Sequence, residues 1–164
     1  MIVVSDTTPL ISLMKIGRLS LIEQLFGEVQ IPHAVYIELV SNADYKEEAR
    51  QIQESPFIKR VVIEDEKAVD LLRRATGLDR GESEAIILSD VSRADLLLMD
   101  ENKGRQVAKQ MGLHLMGTVG MLRAAYEGKL LYYQEIQECI EILRENGRHI
   151  SDKLFRQLLE TIHQ

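Results

Sequence analysis

Apolar residues fall along this chain in short bursts that switch between a strand rhythm and a helix rhythm. Ile2-Val3-Val4 is a β-branched run that ends at Ser5-Asp6, and in the following Thr7-Thr8-Pro9 the proline suits the first residue of a helix. Leu10, Ile11, Leu13 and Met14, then Leu19, Ile22, Leu25 and Phe26, recur at helical spacing, with Gly17 and Gly27 as breaks. Val29-Gln30-Ile31 reads as a second strand, and Pro32 closes it and starts a helical pattern through Val35, Leu39 and Val40. Ala43 to Ser55 is polar and helix-prone, Pro56 ends it, and Arg60-Val61-Val62-Ile63 is the next strand candidate.

Lys67 to Thr76 is amphipathic and stops at Gly77, after which Asp79-Arg80-Gly81-Glu82 opens a helix through Ala85, Ile86 and Leu88 to about Ser92. Asp95 to Asp100 brackets a continuous apolar run with acids, as expected of a central strand buried on both faces of a parallel sheet. Glu101 to Met111 predicts a helix capped by Gly112, Leu113 to Met116 a short strand, and Gly117-Thr118-Val119-Gly120 a turn into a helix ending before Gly128. Beyond it the strands cease. One helix buries Ile136, Ile140 and Leu143, and another, with Ser151 as N-cap, buries Leu154, Leu158 and Ile162.

Strands alternating with helices define an α/β fold: a three-layer sandwich with a central, mostly parallel sheet flanked by helices. The division expected is a main unit over residues 1–130 and a helical extension over residues 131–164 packed on it as a lid. Ligands of such sheets bind beyond the carboxyl ends of the strands.

A chain of 164 residues, 45% hydrophobic and 28% charged, is long enough to bury a core without disulfides. Its one cysteine, Cys139, is read as packing, and a start without a basic stretch or long apolar run predicts a cytoplasmic protein with no membrane role. The net charge of -6 argues against a general nucleic-acid binder. Carboxylates gathered to hold divalent cations would make the metal-free chain look more acidic than its working site.

Asp6 and Asp100 each end a predicted strand and precede a helix, so both carboxylates should project at one sheet edge. Each also suits a plain helix cap, and Asp79-Arg80-Gly81-Glu82 matches a capping box that would occupy Glu82. Glu38 sits between Ile37 and Leu39 in an otherwise apolar helical stretch, where a buried carboxylate would need a partner. If these acids converge, their mutual repulsion calls for a cation. All-oxygen ligands favour Mg2+ or Mn2+, since His33, His114, His149 and His163 are scattered and suggest no zinc site. Hydrolysis of a phosphodiester by metal-activated water is the matching reaction class.

Val3-Val4-Ser5-Asp6-Thr7, Ile31-Pro32-His33-Ala34-Val35-Tyr36-Ile37-Glu38-Leu39, Gly81-Glu82-Ser83-Glu84-Ala85-Ile86 and Leu97-Leu98-Met99-Asp100 together resemble the PIN-domain family in order and spacing. The resemblance runs from Ile2 to about Leu130. The tail around Gly147-Arg148-His149-Ile150-Ser151 is similar to a PIN-like subgroup with a C-terminal helical extension. It implies that Asp6, Glu38, Glu82 and Asp100 bind metal and catalyse, with Thr7, Glu84, Glu101 and Thr118 in support. Position 82 holds Glu where many members hold Asp, which lengthens the reach. The implied activity is endonucleolytic cleavage of RNA, and many relatives are VapC-type toxins held by a small antitoxin.

Lys103 and Arg105 follow Asp100 closely enough to meet substrate phosphates, and Arg80, Lys15 and Arg18 are candidates for a basic rim. The stretch from Ser12 to Phe26 suits either the core or a face for an antitoxin or a second copy, and a homodimer is expected. Two other readings stay open. A receiver-like domain also binds Mg2+ with strand-end aspartates and accepts phosphate on one, but Leu113 to Thr118 supplies no lysine at the later strand end. A catalytically silent protein-interaction module would use the same acids as caps.

Overall fold

The computed structural model describes residues 1–147 and 152–163. The expected N-cap Ser151 lies outside the described residues.

Alternation in the strands divides the core. In β1 (Val3–Ser5), Val3 faces one hydrophobic cluster and Val4 the other; in β4 (Leu96–Leu98), Leu98 joins the first, while Leu97 and the following Met99 join the second. Both faces are therefore covered, as the unbroken apolar run predicts. With β2 (Val29–Pro32), β3 (Ile58–Val61) and β5 (Leu115–Met116), the strands form one sheet in the order β3-β2-β1-β4-β5. Each neighbouring pair is parallel, with Ser5 opposite Leu98 and Val4 opposite Gln30. The centre is β1, not the expected Asp95–Asp100 strand, because the chain crosses back after β3 and adds β4 on the other side of β1.

The first face is covered by α1 (Thr7–Lys15), α2 (Leu21–Phe26), α3 (His33–Ser41), α4 (Lys46–Glu54, after a 3-10 turn at Ala43–Tyr45) and α8 (Thr118–Glu127), which supply Leu10, Leu13, Ile22, Val35, Ile52 and Leu122. The Ser12–Phe26 stretch is thus spent on the core through Leu13, Ile16, Leu19, Leu21 and Ile22, with only partial exposure left at Leu25 and Phe26. Three helices serve the second: α5 (Glu66–Thr76), α6 (Arg80–Val91) and α7 (Asn102–Gln110). Every residue from Gly81 to Ser89 is buried, because α6 packs on the sheet and is overlaid by α3 and α5.

Several boundaries move by a residue or two. Helix α1 begins at Thr7, so Pro9 is its third residue; the position still lies in the first turn, where no intrahelical partner exists for an amide. Pro32 ends β2 and precedes α3 in extended conformation instead of opening the helix. Strand β3 starts at Ile58, two residues before the expected run, since Ile58 pairs with Val29 directly after the Pro56 turn.

After Gly128 the chain forms α9 (Tyr133–Glu145) and α10 (Asp152–His163), which lie on the first face. Ile136, Cys139, Ile140, Leu143, Leu158 and Ile162 are buried in the same cluster as the α1 and α8 residues, and Cys139 is a free packing thiol. Leu154, expected in the core, is instead 42% exposed at the start of α10. Among the described residues no helix is long and apolar enough to cross a membrane.

Candidate active site

The carboxyl ends of the parallel strands collect the acids. The Asp6 amide donates to the Leu98 carbonyl at 2.9 Å, so β1 and β4 end side by side, with Asp6 one residue past β1 and Asp100 two past β4. Glu38 arrives from α3 and Glu82 from the first turn of α6.

Asp6 occupies the N-cap position of α1 in extended backbone, yet its side chain makes no capping bond, so the plain structural role is not fulfilled. The residue is only 4% exposed. Burial pushes its carboxyl up to about 7; the Thr7 amide pulls the other way, while the neighbouring Glu82, Asp79 and Glu38 carboxylates raise it further.

The Glu38 carboxylate accepts from Thr7 Oγ1 at 2.8 Å, which fixes α3 to the start of α1. The residue is exposed, not buried in the helix; partial desolvation of its carboxyl raises its pKa, Thr7 opposes this, and Asp79, Glu101 and Glu84 add repulsion. Gly81 makes the position available: a Cβ there would stand 2.5 Å from Glu38 Oε1. Glycine at the start of α6 thus lets the carboxylate of α3 lie on the helix end.

Glu82 does form the expected capping box. Its amide donates to Asp79 Oδ1 at 2.8 Å and its carboxylate accepts from the Asp79 amide at 3.0 Å. Burial nevertheless carries its carboxyl to about 7, against the pull of that amide and helped by a hydrogen bond with the Glu101 carboxyl and by repulsion from Asp79 and Glu101. Sequence reasoning gives Asp79 only the part of a cap, but the structure shows that it also adds negative field to Asp6, Glu38 and Glu82. A signal for this exists in the capping box itself, since the capping partner of a candidate acid has to lie beside it.

Asp100 turns toward α8. Its Oδ1 accepts from the Thr118 amide and its Oδ2 from Thr118 Oγ1, both at 2.7 Å. Gly117 leaves room, as a Cβ there would meet Asp100 Oδ1 at 2.9 Å and Arg105 Nη1 at 3.4 Å. Glu84, buried in α6, bonds Arg80 Nε at 2.8 Å and the Ala34 amide at 3.2 Å, tying α6 to α3 rather than facing Asp6.

The basic rim forms only in part. Arg105 donates to the Met99 carbonyl at 2.8 Å and so lies beside Asp100, while the Lys103 ammonium lies beside Gly77. Arg80 is paired with Glu84, Arg18 with Glu135 at 2.7 Å, and Lys15 stacks over the Tyr45 ring, so each of these three already has a partner within the protein. Among the described residues no three acids, histidines or cysteines are drawn close enough to hold an ion as they stand. Glu38, Glu82 and Asp100 are each held by donors of the protein itself.

The architecture is thus an α/β three-layer domain with an acidic carboxyl edge. A family model described as a PIN domain matches residues 2–164. The chain belongs to the PIN-domain family, whose members are generally nucleases that use divalent metal ions. No curated protein matches it.

Proposed function

We propose that the chain is an endoribonuclease that hydrolyses RNA phosphodiester bonds with Mg2+ or Mn2+, using Asp6, Glu38, Glu82 and Asp100 as metal-binding and catalytic acids. The carrying observation is Asp6: buried, left out of the helix cap, and pushed up to about 7 by burial, with Glu82, Asp79 and Glu38 beside it. Such a carboxylate costs the fold stability when it ionises, and a divalent cation offsets that cost. The donors are all oxygen, which fits a hard ion in kind; Glu38, Glu82 and Asp100 would offer the ion the lone pairs their protein donors leave free. When bound, the ion supplies a water acidic enough to attack at neutral pH and charge to offset the phosphate.

The remaining residues orient this set. Thr7 and Thr118 aim Glu38 and Asp100, Glu101 raises the pKa of Glu82 from beside it, and Glu84 holds α6 against α3. Arg105, and Lys103 at longer reach, meet substrate phosphate. Residues 1–130 form the nuclease unit in this reading and residues 131–164 its extension. A cytoplasmic toxin role with a small antitoxin, and a homodimer, belong to the same proposal and are tested by co-purification and light scattering.

One observation favours a second reading, a catalytically silent interaction module: Glu82 is fully used as a capping-box residue. Incubation of the protein with single-stranded and structured RNA separates the two. Cleavage that requires Mg2+ or Mn2+, stops in EDTA and is lost in Asp6→Asn and Asp100→Asn supports the nuclease; intact RNA under all conditions supports the silent module.

A further inference from the structure

A groove of about 610 Å3 begins at Asp100 and runs between α8 and α10. That volume lies within the range of about 300–1,000 Å3 typical of ligand sites. Its mouth carries Asp100, Asn102 and Arg105, its near wall Arg123 and Glu127 of α8, and its far wall Gln157 and Thr161 of α10. Two arginines on one side of an acidic protein are the feature to explain. Arg105 Nη1 donates to the Met99 carbonyl and Arg123 Nε to Glu127 at 3.1 Å, whereas a guanidinium carries five N–H donors and can serve an anion as well. The Arg123–Glu127 pair is exposed on both sides, so it yields readily to a stronger anion.

We propose that this groove binds the RNA strand next to the bond being cut, with Arg123 and Arg105 each taking a phosphate and α10 forming the outer wall. The inference rests on the nuclease reading of Asp100 and extends it to the substrate's path. A polymer cut at Asp100 has to continue away from the site, and the groove has Asp100 in its lining and reaches as far as α10. Arg105 at the mouth and Arg123 on the α8 wall share the lining with Asp100 and Glu127, and a phosphate of the backbone would take Arg123 from its exposed pair with Glu127. Leu115, Met116 and Val119 give the floor an apolar surface without an aromatic ring, so bases find no stacking platform and the contact reads backbone in preference to sequence. The C-terminal extension thereby gains a role in substrate binding, because it turns an open edge of α8 into a walled track.

The test is fluorescence anisotropy of a labelled single-stranded RNA against the full chain carrying Asp6→Asn, over a series of salt concentrations. Arg123→Gln in that background is expected to weaken binding and lower the salt slope by about 0.7, the value for one phosphate contact on a single strand. Ala124→Phe, which fills the groove from α8 without changing charge, is expected to weaken binding as well. Arg74→Gln, the same charge change on α5, is expected to leave both quantities as they were. In the otherwise unaltered enzyme, Arg123→Gln is expected to raise KM for RNA and leave kcat unchanged. Equal effects of Arg123→Gln and Arg74→Gln would reduce the result to net charge and overturn the proposal, as would binding indifferent to Arg123→Gln and Ala124→Phe. Cleavage of a matching single-stranded DNA as fast as the RNA would overturn RNA as the substrate. Absence of cleavage by the unaltered protein, with Arg123-dependent RNA binding intact, would overturn the nuclease reading and leave the groove standing as an RNA track.

Discussion

Replacing Asp6 by Asn should stabilise the metal-free protein while silencing it. The carboxyl of Asp6 stands at about 7 in the folded chain against an ordinary 3.8, so the folded state prefers the protonated acid. Because the folded pKa is the higher one, stability is greatest below 3.8 and falls as pH rises toward 7, where the unfolded chain has already lost its proton. Each pH unit in that window costs the wild type about 1.4 kcal/mol relative to a neutral side chain, and the full interval amounts to about 4 kcal/mol. Asn keeps the size of the side chain and removes the charge. Urea unfolding in EDTA should therefore show Asp6→Asn more stable than wild type by up to about 4 kcal/mol at pH 8, with the gap closing near pH 4. A gap that does not change with pH, or an Asp6→Asn protein less stable at pH 8, would refute the claim that Asp6 is a strained, buried acid.

Gly81→Ala places a methyl 2.5 Å from Glu38 Oε1, and the free end of that side chain gives way more easily than the helix. RNA cleavage should fall with the fold intact by circular dichroism; unchanged cleavage would remove Glu38 from the site. Thr118→Val deletes the hydroxyl bond to Asp100 Oδ2 and keeps the amide bond to Oδ1. It should cost about 1.5–3 kcal/mol of stability and lower kcat, and a protein as active as wild type would show that Asp100 needs no orientation from α8. Ile140→Ala opens a cavity in the core cluster where α9 meets α1 and α8. A loss of about 2–5 kcal/mol in a single unfolding transition is expected, and a separate early transition for the tail would show that α9 and α10 unfold apart.

The strand-helix alternation is readable because β1 and β4 carry apolar residues toward both faces, so Leu96-Leu97-Leu98-Met99 announces a buried parallel strand unaided. Which strand sits in the middle is not readable. That depends on where the chain crosses over, and β1 and β4 have the same local pattern. The positions of Asp6 and Asp100 at one edge follow directly from parallel neighbours, whereas the turn of Asp100 toward Thr118 depends on β5 and the Gly117 corner, a tertiary contact without a local signature. Glu82 is legible as a capping-box residue, and its raised pKa is not, because that comes from burial under neighbouring helices and, after it, from Glu101. Leu154 fits the helical period of buried residues in α10, but it lies at the start of the helix, before the buried Leu158 and Ile162, and borders the groove instead.

Calorimetric titration of the metal-free protein with Mn2+ reaches the central claim most directly. If Asp6, Glu38, Glu82 and Asp100 surround one ion, binding should release protons into the buffer below pH 7, tighten as pH rises toward 7, where Asp6 ionises, and disappear in Asp6→Asn. Heat that is absent in the wild type, or identical in Asp6→Asn, would contradict it.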